Sequence, residues 1–220
     1  MKVGTDGVLL GAWVKYSTEE DFRVLDIGSG SGLISLMLAQ RYPQANIVGI
    51  DIDQAAIAQS QTNFSASPWE DRLAAYCTSL QQYSAEEREH FDLIVSNPPF
   101  FQQSLTCPDL QRTQARHTQT LSYEELLNGA LSLLTEEGQL QLILPAQEEE
   151  TIVSLAKQKG LHLYRICRIR GRENKPTKRI LLHFGKTPSE NGTNEEELTL
   201  ETQEGKRTMA YQDLCKDFYL

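Results

Sequence analysis

The chain has little that points to a metal, a membrane or an oxidising compartment. Its four cysteines (Cys77, Cys107, Cys167 and Cys215) are widely scattered and form no C-x-x-C pair. The four histidines add no ligand spacing to them. These cysteines read as free thiols in a reducing cytoplasm, and metal binding is not expected. No run of about 18 apolar residues occurs, so no transmembrane helix is expected. The start, MKVGTDG, lacks the apolar core of a signal peptide. Positive charge is also short. Lys and Arg number 21 against 30 Asp and Glu, for a net charge of −9. That balance argues against a non-specific nucleic-acid binder. There is no internal repeat and no long stretch of disordered composition.

What remains is 220 residues with 40% apolar content, enough for one sizeable domain over 1–220. The charge is uneven within it. Residues 165–179, RICRIRGRENKPTKR, hold seven basic residues and one acid, whereas 190–204 hold six glutamates and no base. A local basic patch therefore sits inside an acidic whole, with a solvated arginine face as the plainer reading.

Apolar periodicity predicts strands at Arg23–Ile27, Ile47–Ile50, Leu73–Cys77, Phe91–Val95 and Gln139–Leu144. Helices are predicted over Ser31–Arg41, Gln54–Phe64 behind an Asp53 cap, from Ser122 with a Glu125 capping box and an apolar stripe at Leu126–Leu134, and over Glu148–Lys159 up to Gly160. Leu161–Ile169 and Arg179–Phe184 follow without an intervening helix, which predicts an antiparallel hairpin. A short helix is expected over Tyr211–Phe218, in a C-terminal extension from 186 to 220. Strand–helix alternation implies parallel βαβ units, whose ligands lie at the carboxyl ends of the strands. The unusual stretches all fall at such ends.

The first strand runs into LDIGSGSGL, with Gly28, Gly30 and Gly32 at alternate positions and Asp26 just before them. A dinucleotide fingerprint would read G-x-G-x-x-G, and this spacing is different. The carboxylate of Asp26 would repel a pyrophosphate and suits a cationic ligand. Asp51 ends the second strand, 19 residues after Gly32, where an acid can accept both hydroxyls of a ribose.

The fourth strand ends in VSNPPFF, residues 95–101. Proline cannot continue a ladder, and each proline extends the residue before it. Pro98 and Pro99 thus make a stiff arm that presents the Asn97 oxygen and a backbone carbonyl. Those two acceptors match an amino group with two N–H donors. Phe100 offers a face on which a planar base can stack, worth about 1–3 kcal/mol. A 22-residue-scale polar loop, FFQQSLTCPDLQRTQARHTQTL, follows and is long enough to be functional.

VLDIGSGSG and GIDID resemble the first and second motifs of the class I S-adenosylmethionine-dependent methyltransferases. The resemblance implies a Rossmann-like α/β fold: a seven-stranded, mostly parallel sheet with an antiparallel C-terminal hairpin and helices on both faces. It implies S-adenosylmethionine as cofactor. Asp26 and the glycine loop would lie by its methionine part, Asp51 on its ribose and Ile52 on its adenine. Members often place an acid after the third strand. Here Ser79 stands there, leaving its hydroxyl or the backbone around Leu80 for the adenine.

Amino-methylating members with N-P-P-[FY] act on adenine N6 of nucleic acid, on guanine N2 of rRNA, or on glutamine N5 of a protein. The chain is too short for a large DNA-recognition domain, and lacks the helical substrate domain of the glutamine enzymes. MKVGTDGVLLGAW, NPPFFQQS, QRTQAR, KRILLHF and DFYL resemble the bacterial enzymes that methylate N6 of adenosine 37 in valine tRNA. Those enzymes usually carry a short strand before the position of Met1, so a clipped start is expected. This likeness implies that the 1–16 segment contacts the cofactor through Thr5 and Asp6. It implies tRNA contact by Arg112 and Arg116, and by the hairpin residues Arg168, Arg170, Arg172, Lys175, Lys178 and Arg179. Phe100 stands where many members have tyrosine, and N-P-P-F also occurs among guanine-N2 enzymes, so that reading stays open. A non-catalytic cofactor-binding module is the reading from another class.

Overall fold

A computed structural model describes residues 4–86, 89–98 and 121–218. Its strands are β1 (Phe22–Ile27), β2 (Ala45–Asp51), β3 (Leu73–Cys77), β4 (Phe91–Ser96), β5 (Leu134–Pro145), β6 (His162–Arg172), β7 (Thr177–Gly185) and β8 (Asn194–Glu201). They form a sheet of order β3-β2-β1-β4-β5-β7-β6-β8. The first five pair in parallel, β7 runs antiparallel to both β5 and β6, and β8 is parallel to β6.

The helices are α1 (Thr5–Trp13), α2 (Leu33–Arg41), α3 (Gln54–Ser65), α4 (Leu80–Glu86), α5 (Tyr123–Leu133), α6 (Glu149–Gln158) and α7 (Met209–Cys215). Alternate strand residues feed opposite faces, as the period of two requires. Val24, Leu93, Ile143 and Leu181 join a core with α1, α2 and α7. Their neighbours Leu25, Ile94, Leu142 and Leu182 join a second core with α4, α5 and α6.

Asp53 caps α3 through Ala55 N, and the Ser122/Glu125 capping box is present on α5.

Two features depart from the sequence expectation. The sheet has eight strands where seven were expected. The Glu-rich segment 194–201 hides its strand because three consecutive glutamates interrupt the apolar alternation. Those acids are matched one by one to arginines on β6: Glu195 to Arg168, Glu196 to Arg165, Glu197 to Arg170 and Glu201 to Arg172. The second feature is α1, at the start of the chain. It is buried from Gly7 to Trp13, so it shows no amphipathic stripe to read. Its signal is the spacing of Gly7 and Gly11. A Cβ on Gly7 would stand 3.1 Å from Leu33 and one on Gly11 would stand 2.7 Å from Met37 Sδ, so α1 lies close along α2. Arg41 Nη1 then donates to the α1 terminal carbonyls of Ala12 (2.7 Å) and Val14 (3.1 Å).

Candidate active site

The chain order of the strands reverses between β1 and β4, and a crevice opens there beyond their carboxyl ends. Ile27 is in register with Ser96, so the glycine loop and Asn97 leave adjacent strands side by side. Ser96 Oγ donates to Ile27 O at 2.8 Å and ties the two ends together. Asn97 is half-buried and Pro98 is buried. Pro99, Phe100, Arg112 and Arg116 lie outside the described residues.

Gly28, Gly30 and Gly32 have φ of 71°, 57° and 79°, a region that only glycine enters without penalty. Their N–H groups are spoken for. Gly28 N and Ser29 N donate to Ile50 O, Gly30 N to Asp51 Oδ2 and Gly32 N to Ser29 O. The loop therefore does not aim a nest of free donors at a phosphate, in line with the missing dinucleotide spacing. A Cβ on Gly28 would meet nothing within 4 Å, so the loop faces open space there.

Asp26 lies fully buried beneath this loop. Ser35 donates to its Oδ2 through Oγ at 2.7 Å and through N at 3.2 Å, while Oδ1 has no partner. Burial raises the carboxyl to about 6, against the two Ser35 bonds, with Asp51 adding to the rise. An unpartnered buried carboxylate oxygen calls for a cationic or donor group.

Asp51 accepts from Gly30 N at 2.9 Å on one oxygen and from Asp53 N at 2.9 Å on the other. Each oxygen keeps a lone pair for a hydroxyl donor. Beside it Ile52 is 55% exposed, a large apolar side chain left open at the rim of the crevice. Ser79 shares hydrogen bonds with Gln82, and the Leu80 side chain is turned into the core against Gly129. Only the backbone of Leu80 is thus available to a ligand.

Thr5 and Asp6 open α1, which the Gly7 contact sets next to Leu33 at the end of the loop. Asp6 Oδ2 accepts from Arg179 Nε at 2.9 Å.

The other hairpin arginines also hold acids. Arg168 pairs with Glu149 and with Glu195 (2.7 Å), Arg170 with Glu197 (2.6 Å) and Arg172 with Glu201 (3.1 Å). The Arg170 hydrogen bonds hold the Glu197 carboxyl below its ordinary range. Lys175 and Lys178 are exposed and make no ion pair with a described carboxylate. Lys175 lies in the β6–β7 turn and Lys178 at the start of β7, at the carboxyl-end side of the sheet where Asn97 lies.

Sequence reasoning missed Ser35, Ser60, Asn63 and Ser96, whose side chains hold the loop and strand ends. Serines and an asparagine within helices or strands carry no one-dimensional signal of such bonds.

Among the described residues no group of three or more His, Cys, Asp or Glu could hold a metal ion, and no helix is long and apolar enough to cross a membrane.

Residues 8–158 match the methyltransferase small domain family. The tRNA1(Val) (adenine(37)-N6)-methyltransferase of Parabacteroides distasonis is 44% identical, over 100% of this chain and 91% of that one. That of Edwardsiella ictaluri is 42% identical over 100% and 87%. Among solved structures, a predicted O-methyltransferase from Agrobacterium tumefaciens superposes with a TM-score of 0.73 at 18% identity, covering 96% of each chain. TrmN from Thermus thermophilus gives 0.54 at 20% identity, covering 76% of this chain and 45% of that one. The two structures bear on the fold alone. The family match and the full-length identities go further: the chain belongs to the methyltransferase small domain family, among the tRNA1(Val) (adenine(37)-N6)-methyltransferases.

Proposed function

We propose that the chain methylates N6 of adenosine 37 in valine tRNA, with S-adenosylmethionine as donor, as a cytoplasmic enzyme. The observation that carries this is the adjacency of two unlike strand ends: a glycine loop over a half-satisfied buried carboxylate, and Asn97 in register beside it. The named activity of full-length relatives supports the same reading.

The residues present fit the cofactor. Oδ1 of Asp26 lacks a partner, and the open space at Gly28 admits a ligand against the loop. Asp26 would face its cationic methionine end, with Thr5 and Asp6 nearby, while Asp51 would take the ribose hydroxyls and Ile52 would cover the adenine. The backbone near Ser79 and Leu80 closes that end. When bound, the cofactor supplies a sulfonium methyl with a good leaving group.

Asn97 and the carbonyl of Pro98 do the rest by position. They accept both N–H bonds of the target amino group, which favours pyramidal nitrogen and directs its lone pair at the methyl carbon. So oriented, the target nitrogen would accept the methyl group that the cofactor would supply with sulfur as leaving group, and would release one N–H proton to solvent. Orientation of this kind supplies roughly 7–11 kcal/mol in favourable cases. On the sequence resemblance, stiffening of the arm would fall to Pro99 and stacking on the base to Phe100. Phosphates of the tRNA are met by Lys175 and Lys178, together with Arg112 and Arg116. Arg168, Arg170, Arg172 and Arg179 are each paired with a carboxylate and so add little net positive field of their own.

The test is incubation with radiolabelled cofactor and total tRNA, then nucleoside digestion. N6-methyladenosine as the labelled product is expected. Labelled N2-methylguanosine would favour the guanine reading, and no transfer to any RNA would favour a non-catalytic binding module.

A further inference from the structure

We propose that Ser60 and Asn63, on α3, are positioning residues that hold the glycine loop in its ligand-accepting shape. The inference rests on the reading of that loop as the cofactor's seat.

Ser60, Asn63 and Phe64 are spaced i, i+3, i+4 and share one face of the helix. That face lies against the loop. Ser60 Oγ donates to Gly30 O at 2.7 Å, and Asn63 Nδ2 donates to Ser31 O at 2.8 Å. Gln59 Nε2 donates to Asn63 Oδ1 at 3.0 Å, which turns the Asn63 amide hydrogens toward the loop. Phe64 closes the far end, where a Cβ on Gly32 would stand 2.4 Å from its Cε1.

Gly30 is therefore gripped on both sides. Its N–H goes to Asp51 and its carbonyl to Ser60. A segment with three glycines at positive φ has many alternative conformations, and each bond from outside removes some of them. The grip also links two parts of the proposed cofactor site. Asp51 stands three residues before α3, and Asp53 caps that helix through Ala55 N at 2.9 Å. The ribose acid and the loop are thus set relative to each other by one helix.

None of these side chains need touch the ligand. Removal of either donor leaves the loop less ordered, and the ligand must then order it on binding.

The test uses the full chain and S-adenosylhomocysteine as probe, measured by calorimetry. Ser60→Ala removes one donor. Asn63→Asp keeps the shape but cannot donate, and the site is only half-buried, so the fold tolerates it. Each variant is expected to bind about tenfold more weakly, the scale of one lost hydrogen bond. Amide exchange over 28–32 should quicken in the ligand-free protein, while tRNA affinity and kcat at saturating cofactor stay within about twofold of wild type. Wild-type binding with both variants at wild-type affinity overturns the proposal, even if their melting temperatures fall. Wild-type protein that does not bind the probe overturns the cofactor reading and this inference together.

Discussion

Asn97 and Asp26 do different work, and each has its own test. Asn97 acts on the reacting amino group, so Asn97→Ala should lower kcat by about 10²–10³-fold, as for the loss of one preorganised transition-state contact, with tRNA affinity little changed. Unchanged turnover would remove the two-acceptor mechanism. Asp26 acts through its charge. Burial holds its carboxyl at about 6, above the unfolded value of 3.8. The native state therefore keeps the proton longer than the unfolded state does, and stability attributable to Asp26 is lost as pH rises from about 4 to about 6. The difference is about 3 kcal/mol at full ionisation. Urea unfolding of wild type and Asp26→Asn should diverge in the variant's favour across that window, and parallel curves would contradict it. Cofactor affinity of the wild type should rise as pH passes through about 6, where the native carboxylate forms. Asp26, Asp51 and Asn97 were legible in the sequence because each stands at the carboxyl end of an apolar strand. Ser35 and Ser60 were not, since their partners lie 9 and 30 residues away in the chain.

The C-terminal strands show what a one-dimensional reading of charge leaves out. An arginine run and a glutamate run look like two separate surfaces in sequence. In the sheet they lie on neighbouring strands and neutralise one another, Arg165 with Glu196 at 2.8 Å and Arg170 with Glu197 at 2.6 Å. The Arg165 pair is part-buried, whereas the Arg170 pair is exposed, and a solvent-screened pair of that kind adds little to stability. Arg170→Ala should then lower thermal stability slightly and leave the salt dependence of tRNA binding nearly intact. Replacing both Lys175 and Lys178 by alanine should instead reduce the slope of log K against log salt by roughly 1.5–2, the share of two phosphate contacts. A larger slope change from Arg170→Ala than from the lysine pair would reverse this assignment. The helix α1 was missed for the opposite reason, that uniform burial erases periodicity.

At the scale of the molecule, the strand–helix alternation legible in the sequence is enough to place the site. A parallel sheet with right-handed crossovers that starts at β1 and reverses at β4 must bring the ends of those two strands together. The eighth strand adds an edge and leaves that crevice unchanged. The net charge of −9 makes tRNA binding depend on a local positive surface at the rim of the sheet. The central claim is that this crevice presents an adenine amino group to a methyl donor. It is tested most directly by single-turnover transfer to unmodified valine tRNA transcripts that carry adenosine or guanosine at position 37. Methylation of the adenosine transcript at N6, with none on the guanosine transcript, is the predicted result. Equal methylation of both, or methyl groups recovered only on guanine, would contradict it.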